Sequence, residues 1–137
     1  MDGAMLLERL RGAVDDHDLD TVVDCFTDDY RNETPAHPGR SFIGRDQVRS
    51  NWQRIFAGIP DVTATVVRST VVDDVVWAEM ELGGHRADGV SQLMRGVNMF
   101  GVEGDRFGWC RFYLEPVDAG EGGVAAAVGT IVGATDR

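Results

Sequence analysis

A chain of 137 residues, 43% of them hydrophobic and 26% charged, has the ordinary composition of a globular protein with room for one hydrophobic core. Its 23 acidic against 13 basic residues give a formal net charge of −10, without the basic stripe that nucleic acid or an anionic membrane surface requires. No stretch approaches the roughly 18 apolar residues of a membrane span, and Met1-Asp2-Gly3-Ala4 lacks the basic start and long apolar run of a signal peptide, so a cytoplasmic protein is expected.

The first half reads as helices. Leu6, Leu7, Leu10 and Val14 recur at helical spacing until Asp15-Asp16-His17-Asp18 breaks the run. A short helix from about Asp18 carries Val22, Val23 and Phe26 on its apolar side. Residues 30 to 33 look extended and end in the breaker-rich loop Thr34-Pro35-Ala36-His37-Pro38-Gly39. From about Arg45 to Gly58, the stripe Val48, Trp52, Ile55, Phe56 and Ile59 has the spacing of a core-facing helix.

The second half reads as strands. Residues 62 to 72 are rich in Val and Thr, residues 75 to 85 follow the turn Asp73-Asp74, and two more runs follow. Asp88-Gly89 and Gly104-Asp105 suit two-residue hairpin turns. Helices followed by an antiparallel meander predict an α+β fold: a cone-shaped, curved antiparallel sheet packed against three N-terminal helices. Residues 1–117 form that domain. In residues 118–137, Gly120, Gly122, Gly123, Gly129 and Gly133 interrupt a run of Ala and Val, so neither helix nor strand is predicted there. This extension is either mobile or packed on a partner subunit.

Turn positions set a register. Two loop residues at Asp88-Gly89 place Glu79 opposite Asn98, Trp77 opposite Phe100 and Glu81 opposite Gly96. Two at Gly104-Asp105 place Asn98 opposite Arg111 and Phe100 opposite Trp109. One face then carries a polar row, Glu79–Asn98–Arg111, beside an aromatic row, Trp77–Phe100–Trp109, with Glu81 and Tyr113 continuing the polar end. That is too much aromatic surface to leave wet on a monomer, so both faces are expected to be covered, one by helices and pocket and the other by a second subunit, as a homodimer, or by the rest of the sheet. With the polar-aromatic face on the pocket, Arg111 holds one Glu ionised while the other has a raised pKa, an acid/base pair. With that face elsewhere, the same residues are an ion pair that fixes the sheet.

The stretch Asp20 to Tyr30 ending Phe26-Thr27-Asp28-Asp29-Tyr30, Gly44-Arg45-Asp46-Gln47-Val48 opening the third helix, and Trp109-Cys110-Arg111-Phe112-Tyr113-Leu114-Glu115-Pro116 resemble the nuclear transport factor 2-like superfamily, in its SnoaL-like branch. The resemblance spans roughly residues 5 to 117 and implies the fold more firmly than any activity. Against ketosteroid isomerases, the base position falls on Thr34, the oxyanion Tyr near Leu10 and the protonated acid on Asn98. Against limonene-epoxide hydrolases, the strand pair falls on Glu79 and Glu81, the residue two after the Trp on Arg111, and the water-positioning pair on Arg31 and Glu33. Neither catalytic set is intact.

His37 in the Pro-rich loop is a candidate pocket-rim acid/base group or a plain surface His. Three scattered His and two Cys without ligand spacing predict no metal, and Cys25 and Cys110 are expected to be buried free thiols. No phosphate-cradling loop, dinucleotide fingerprint or nucleophile elbow is present, and no cofactor is expected. The leading expectation is a cofactor-independent acid/base enzyme of cyclase, isomerase or hydrolase type acting on a small apolar or polyketide-like molecule. Glu79, Glu81, Arg111 and Asn98 are its candidate catalytic residues. Trp77, Phe100, Trp109, Tyr113, Trp52, Phe56, Glu33 and His37 are the candidate ligand contacts. A non-catalytic ligand-binding or dimerisation module is the alternative.

Overall fold

The structure, a computed structural model, describes residues 2–133; Met1 and residues 134–137, the last of the C-terminal extension, lie outside them. Helix α1 (Gly3–Asp15) starts at Asp2, whose carboxylate accepts from the Met5 N–H at 2.8 Å. His17 turns the chain with a left-handed backbone, φ 53°. Helix α2 (Leu19–Asp24) is capped by Asp18, which accepts from Thr21 N. Leu6, Leu7, Leu10 and Val14 of α1 and Val22 of α2 are buried together, the face that their spacing predicts. Helix α3 (Arg45–Gly58) has the predicted bounds and buries Val48, while Trp52 and Phe56 pack half-buried against the core.

Seven strands complete the domain: β1 (Phe26–Glu33), β2 (Phe42–Ile43), β3 (Thr63–Val72), β4 (Val75–His85), β5 (Ser91–Glu103), β6 (Arg106–Arg111) and β7 (Glu115–Pro116). They form one curved, unclosed sheet in the order β2-β1-β6-β5-β4-β3, with β7 paired to β5. The fold is α+β as expected. The sheet is mixed rather than wholly antiparallel, because β1 runs parallel to β6. The helices cover the concave face, where Val76, Ala78, Met80, Phe100, Phe107 and Cys110 are buried.

The register departs from the expected one in both strand pairs, each time by one extra residue, in the β4–β5 loop and at a bulge in β6 beyond the turn. The β4–β5 loop has three residues, Ala87-Asp88-Gly89. Arg86 N donates to Val90 O at 2.9 Å, Gly89 N donates to Arg86 O at 2.9 Å, and Gly89 takes the left-handed conformation, φ 85°. This is the three-residue hairpin with a turn followed by a left-handed glycine. Asn98 therefore pairs with Ala78, and Glu79 with Val97. At the β5–β6 hairpin the two-residue turn does form, with Glu103 opposite Arg106. Gly108 is then an extra residue: Val102 pairs with Phe107 but Gly101 with Trp109, a bulge that turns the rest of β6 over. Beyond it, Phe100 faces Cys110 and Met99 faces Arg111.

A fourth helix, α4 (Val124–Ile131), lies in the extension where no helix is predicted. The Val124-Ala125-Ala126-Ala127-Val128 run supplies enough helix propensity to outweigh Gly129. It buries no residue. Among the described residues no helix is long and apolar enough to cross a membrane.

Candidate functional site

Between α1, α3 and the concave sheet face lies a cavity of about 290 Å³. Its walls are mostly apolar: Leu10 and Val14 from α1, Trp52 and Ile55 from α3, and Met80, Leu82, Met94, Phe100 and Phe112 from the sheet. The polar groups are few. Asn98 is 3% exposed, and its Oδ1 accepts from the Tyr113 backbone N–H at 2.8 Å. That contact fixes the amide orientation, since only the oxygen can meet an N–H donor. The Asn98 NH₂ group is left at the cavity wall without a protein acceptor among the described residues.

A second polar set lies on β1 and at the residue just beyond its end. Tyr30, Asn32 and Thr34 alternate along the strand, so their side chains share its inner face. Tyr30 donates to Asn32 Oδ1 at 2.9 Å, and Asn32 Nδ2 donates to Thr34 Oγ1 at 3.3 Å. Burial pushes the Tyr30 phenol well above its usual pKa, so it stays a neutral donor. Burial likewise pushes the Cys110 thiol, also on the wall, up to about 12, which keeps it from acting as a thiolate. No carboxylate or imidazole lines the cavity among the described residues. Arg11 and Arg40 stand at its edge; Arg11 is held by Glu8 at 2.5 Å and Asp15 at 2.7 Å, and Arg40 has no ion-pair partner among the described residues.

The candidate residues from the sequence are divided by the corrected register. Asn98, Phe100 and Trp52 line the cavity. Glu79, Glu81, Trp77, Trp109 and Arg111 lie on the opposite, convex face of the sheet, because each of the two extra loop and bulge residues turns one neighbour of β5 over. There Glu79 pairs with Arg68 and Glu81 with Arg95, both at 3.0 Å. Arg111 pairs with Glu33 at 2.6 Å and reaches the Tyr113 hydroxyl at 3.4 Å. The expected Glu79–Asn98–Arg111 row is therefore not assembled: Asn98 faces inward and the two charges outward. Phe56 stacks on His17 with centroids 4.8 Å apart. His37 meets Glu115 at 2.9 Å, tying the Pro-rich loop to β7 outside the cavity lining. Cys25 and Cys110 are free and buried.

The Tyr30–Asn32–Thr34 set is absent from the residues singled out by turn geometry, although Thr34 enters through the ketosteroid-isomerase resemblance. A signal for it exists in the sequence: three polar residues of graded size at period two before a breaker-rich loop.

Residues 7–108 match the SnoaL-like domain family. Several solved structures share the fold. IdmH from Streptomyces antibioticus, described as a candidate polyketide cyclase, is 22% identical with a TM-score of 0.70, over 82% of this chain and 91% of its own. TsrD from Streptomyces laurentii is 19% identical with a TM-score of 0.68, over 98% of this chain and 99% of its own. A protein of ketosteroid isomerase-like fold from Catenulispora acidiphila, solved with trimethylamine, is 18% identical with a TM-score of 0.68, over 79% and 84%. No curated protein matches the chain.

Proposed function

The chain belongs to the SnoaL-like domain family, and on that premise we propose that its cavity binds a small, largely apolar molecule through one carbonyl oxygen, in a cyclase-type role on a polyketide-like compound. The observation that carries this reading is Asn98, a buried amide whose oxygen is anchored and whose NH₂ group is unspent in an otherwise apolar cavity. The donor opens onto the cavity, and a ligand oxygen that accepts from it gains a directed hydrogen bond among otherwise apolar walls. In an intramolecular aldol closure, a carbon–carbon bond forms and the carbonyl oxygen takes up the proton lost from the α-carbon. Asn98 supports the negative charge that develops on that oxygen. The apolar walls supply the larger contribution, by holding a flexible chain in a folded, reactive shape.

A second reading, non-catalytic ligand binding, is favoured by the lack of any carboxylate or imidazole on the cavity wall among the described residues. Both readings include a reducing, cytoplasmic setting, in keeping with two unpaired buried thiols, and neither requires a cofactor. Native mass spectrometry with apolar ketones and hydrocarbons of the same skeleton tests the shared part. Ketones should be retained and the hydrocarbons bound more weakly; equal binding of both, or of neither, sinks it. Incubation with a linear diketone then separates the two: ring-closed product supports the cyclase, and retention of the diketone unchanged supports the binding module.

A further inference from the structure

The β4–β5 hairpin carries a different set of reactive groups, outside the cavity. His85 ends β4 and Ser91 opens β5, and the two pair directly across the strands. Both alternate with Glu79, Glu81 and Arg95, so they share the convex face. Arg86 N donates to Val90 O at 2.9 Å, which makes His85 and Ser91 the next, non-hydrogen-bonded kind of pair. Side chains in such a pair stand close, with Cβ atoms about 4.5–5.5 Å apart. On the other flank of His85 lies Asp61, two residues before Thr63, which pairs with Gly83. One Asp61 carboxylate oxygen accepts from the His85 backbone N–H at 2.6 Å, and the other meets His85 Nδ1 at 2.7 Å. The ring contact first, and the backbone contact after it, hold the Asp61 carboxyl below its usual pKa, so it stays ionised and Nδ1 carries the proton. The two nitrogens of an imidazole point nearly opposite ways. With Nδ1 turned to the β3 side, Nε2 presents its lone pair toward β5, where Ser91 is exposed. Asp61, His85 and Ser91 thus lie in line across three neighbouring segments. Inward on the same face, Gly83 pairs with Leu93, whose side chain leans over the bare glycine as a small apolar shelf beside Ser91.

We propose that Ser91, His85 and Asp61 form a surface acyl-transfer site that hydrolyses activated esters of short acyl chains, independent of the cavity and of the function proposed for it. Ser91 Oγ bonds to the acyl carbon as its proton passes to His85 Nε2. The ester carbon–oxygen bond then breaks, and the leaving oxygen takes that proton. Water next attacks the acyl-Ser91 ester and gives a proton to Nε2, and Ser91 Oγ recovers it as the acid departs. The net change is ester and water to acid and alcohol. Ser91 and His85 are the catalytic residues. Asp61 is a positioning residue that fixes the imidazole and its tautomer. The acyl group rests on Leu93.

The test gives the full chain para-nitrophenyl acetate and follows the nitrophenol released. Ser91→Ala and His85→Gln should each lower the rate by about 100-fold, the lower end of what a positioned acid/base group contributes. Native chain quenched in acid during turnover should carry an acetyl group on the peptide holding Ser91; the chain has no lysine to obscure that adduct. Asp61→Asn keeps an acceptor for the His85 backbone N–H and removes the charge. It should lower kcat with KM unchanged, and heteronuclear NMR should show the ring proton of His85 moving from Nδ1 to Nε2. An Asp61 that only holds the hairpin together would leave kcat unmoved. Equal rates for the native chain and Ser91→Ala, or acetylation that spares Ser91, overturns the inference. Should His85→Gln fail to fold, the exposed Ser91→Ala substitution and the Ser91 adduct decide the matter.

Discussion

Asn98 serves two partners with one amide: its oxygen ties Tyr113 to the sheet, and its nitrogen faces the cavity. Replacing it with Ala strands the Tyr113 N–H, and a buried donor left unmade costs about 1–3 kcal/mol. Urea denaturation should show that loss together with weaker ketone binding. The two thiols make a pH prediction. Burial raises Cys25 to about 11 and Cys110 to about 12, whereas an unfolded thiol titrates near about 8.5. The unfolded chain therefore releases these protons first as pH rises. Stability should be unaffected below about pH 8 and fall as pH climbs toward the folded values. A denaturation series from pH 7 to 11 checks this; the slope should flatten in Cys25→Ala and Cys110→Ala, whatever their absolute stabilities. Native thiols should likewise react with a thiol reagent only on unfolding.

At the scale of elements, the three N-terminal helices were legible, except that Phe26 opens β1 instead of ending α2, while α4 and the pairing of strands were not. Val48, Trp52 and Ile55 recur at a period that only a helix accommodates, so α3 falls at its predicted bounds. The extents of β3 and β4 followed equally well from the Val- and Thr-rich runs. Register rests on a single residue of loop length, and Asp88-Gly89 suits a two-residue turn and the end of a three-residue one alike. Nor does sequence mark the Gly108 bulge, because the extra residue is recognisable only against its partner strand. These two places removed Glu79, Glu81 and Arg111 from the cavity and left Asn98 in it. Their ion pairs are half-exposed, and exposed pairs contribute little. Glu79→Gln and Glu81→Gln should shift the denaturation midpoint by less than about 1 kcal/mol and leave ligand affinity unchanged. Gly96 is the opposite case. A Cβ there would lie 2.3 Å from the Tyr113 carbonyl oxygen, where the chain crosses toward β7. Gly96→Ala should destabilise by about 1–3 kcal/mol, measurable by thermal melting.

The whole molecule presents a convex sheet face with Trp77 and Val97 each 41% exposed. We propose this face for the homodimer expected from the sequence, with Arg68–Glu79 and Glu81–Arg95 as a polar surround. Sedimentation equilibrium should give twice the 15.0 kDa of one chain, and Val97→Asp should return it to one. A 15.0 kDa native species would remove that proposal. Helix α4 is separate from this arithmetic: Val124 and Ile131 are more than four-fifths exposed, so truncation after Val117 should hardly move the melting temperature. The three-residue loop at Ala87-Asp88-Gly89 reaches furthest of all these features. Since side chains alternate with a period of two, an insertion or deletion of one residue there would reverse β4 from end to end, exposing Ala78 and Met80 and driving Glu79 and Glu81 inward. Inherited length changes at this hairpin should therefore come in steps of two, or one at a time only where a compensating bulge appears in β4 or β5. Parity, more than the identity of any loop residue, is what selection has to preserve at this hairpin.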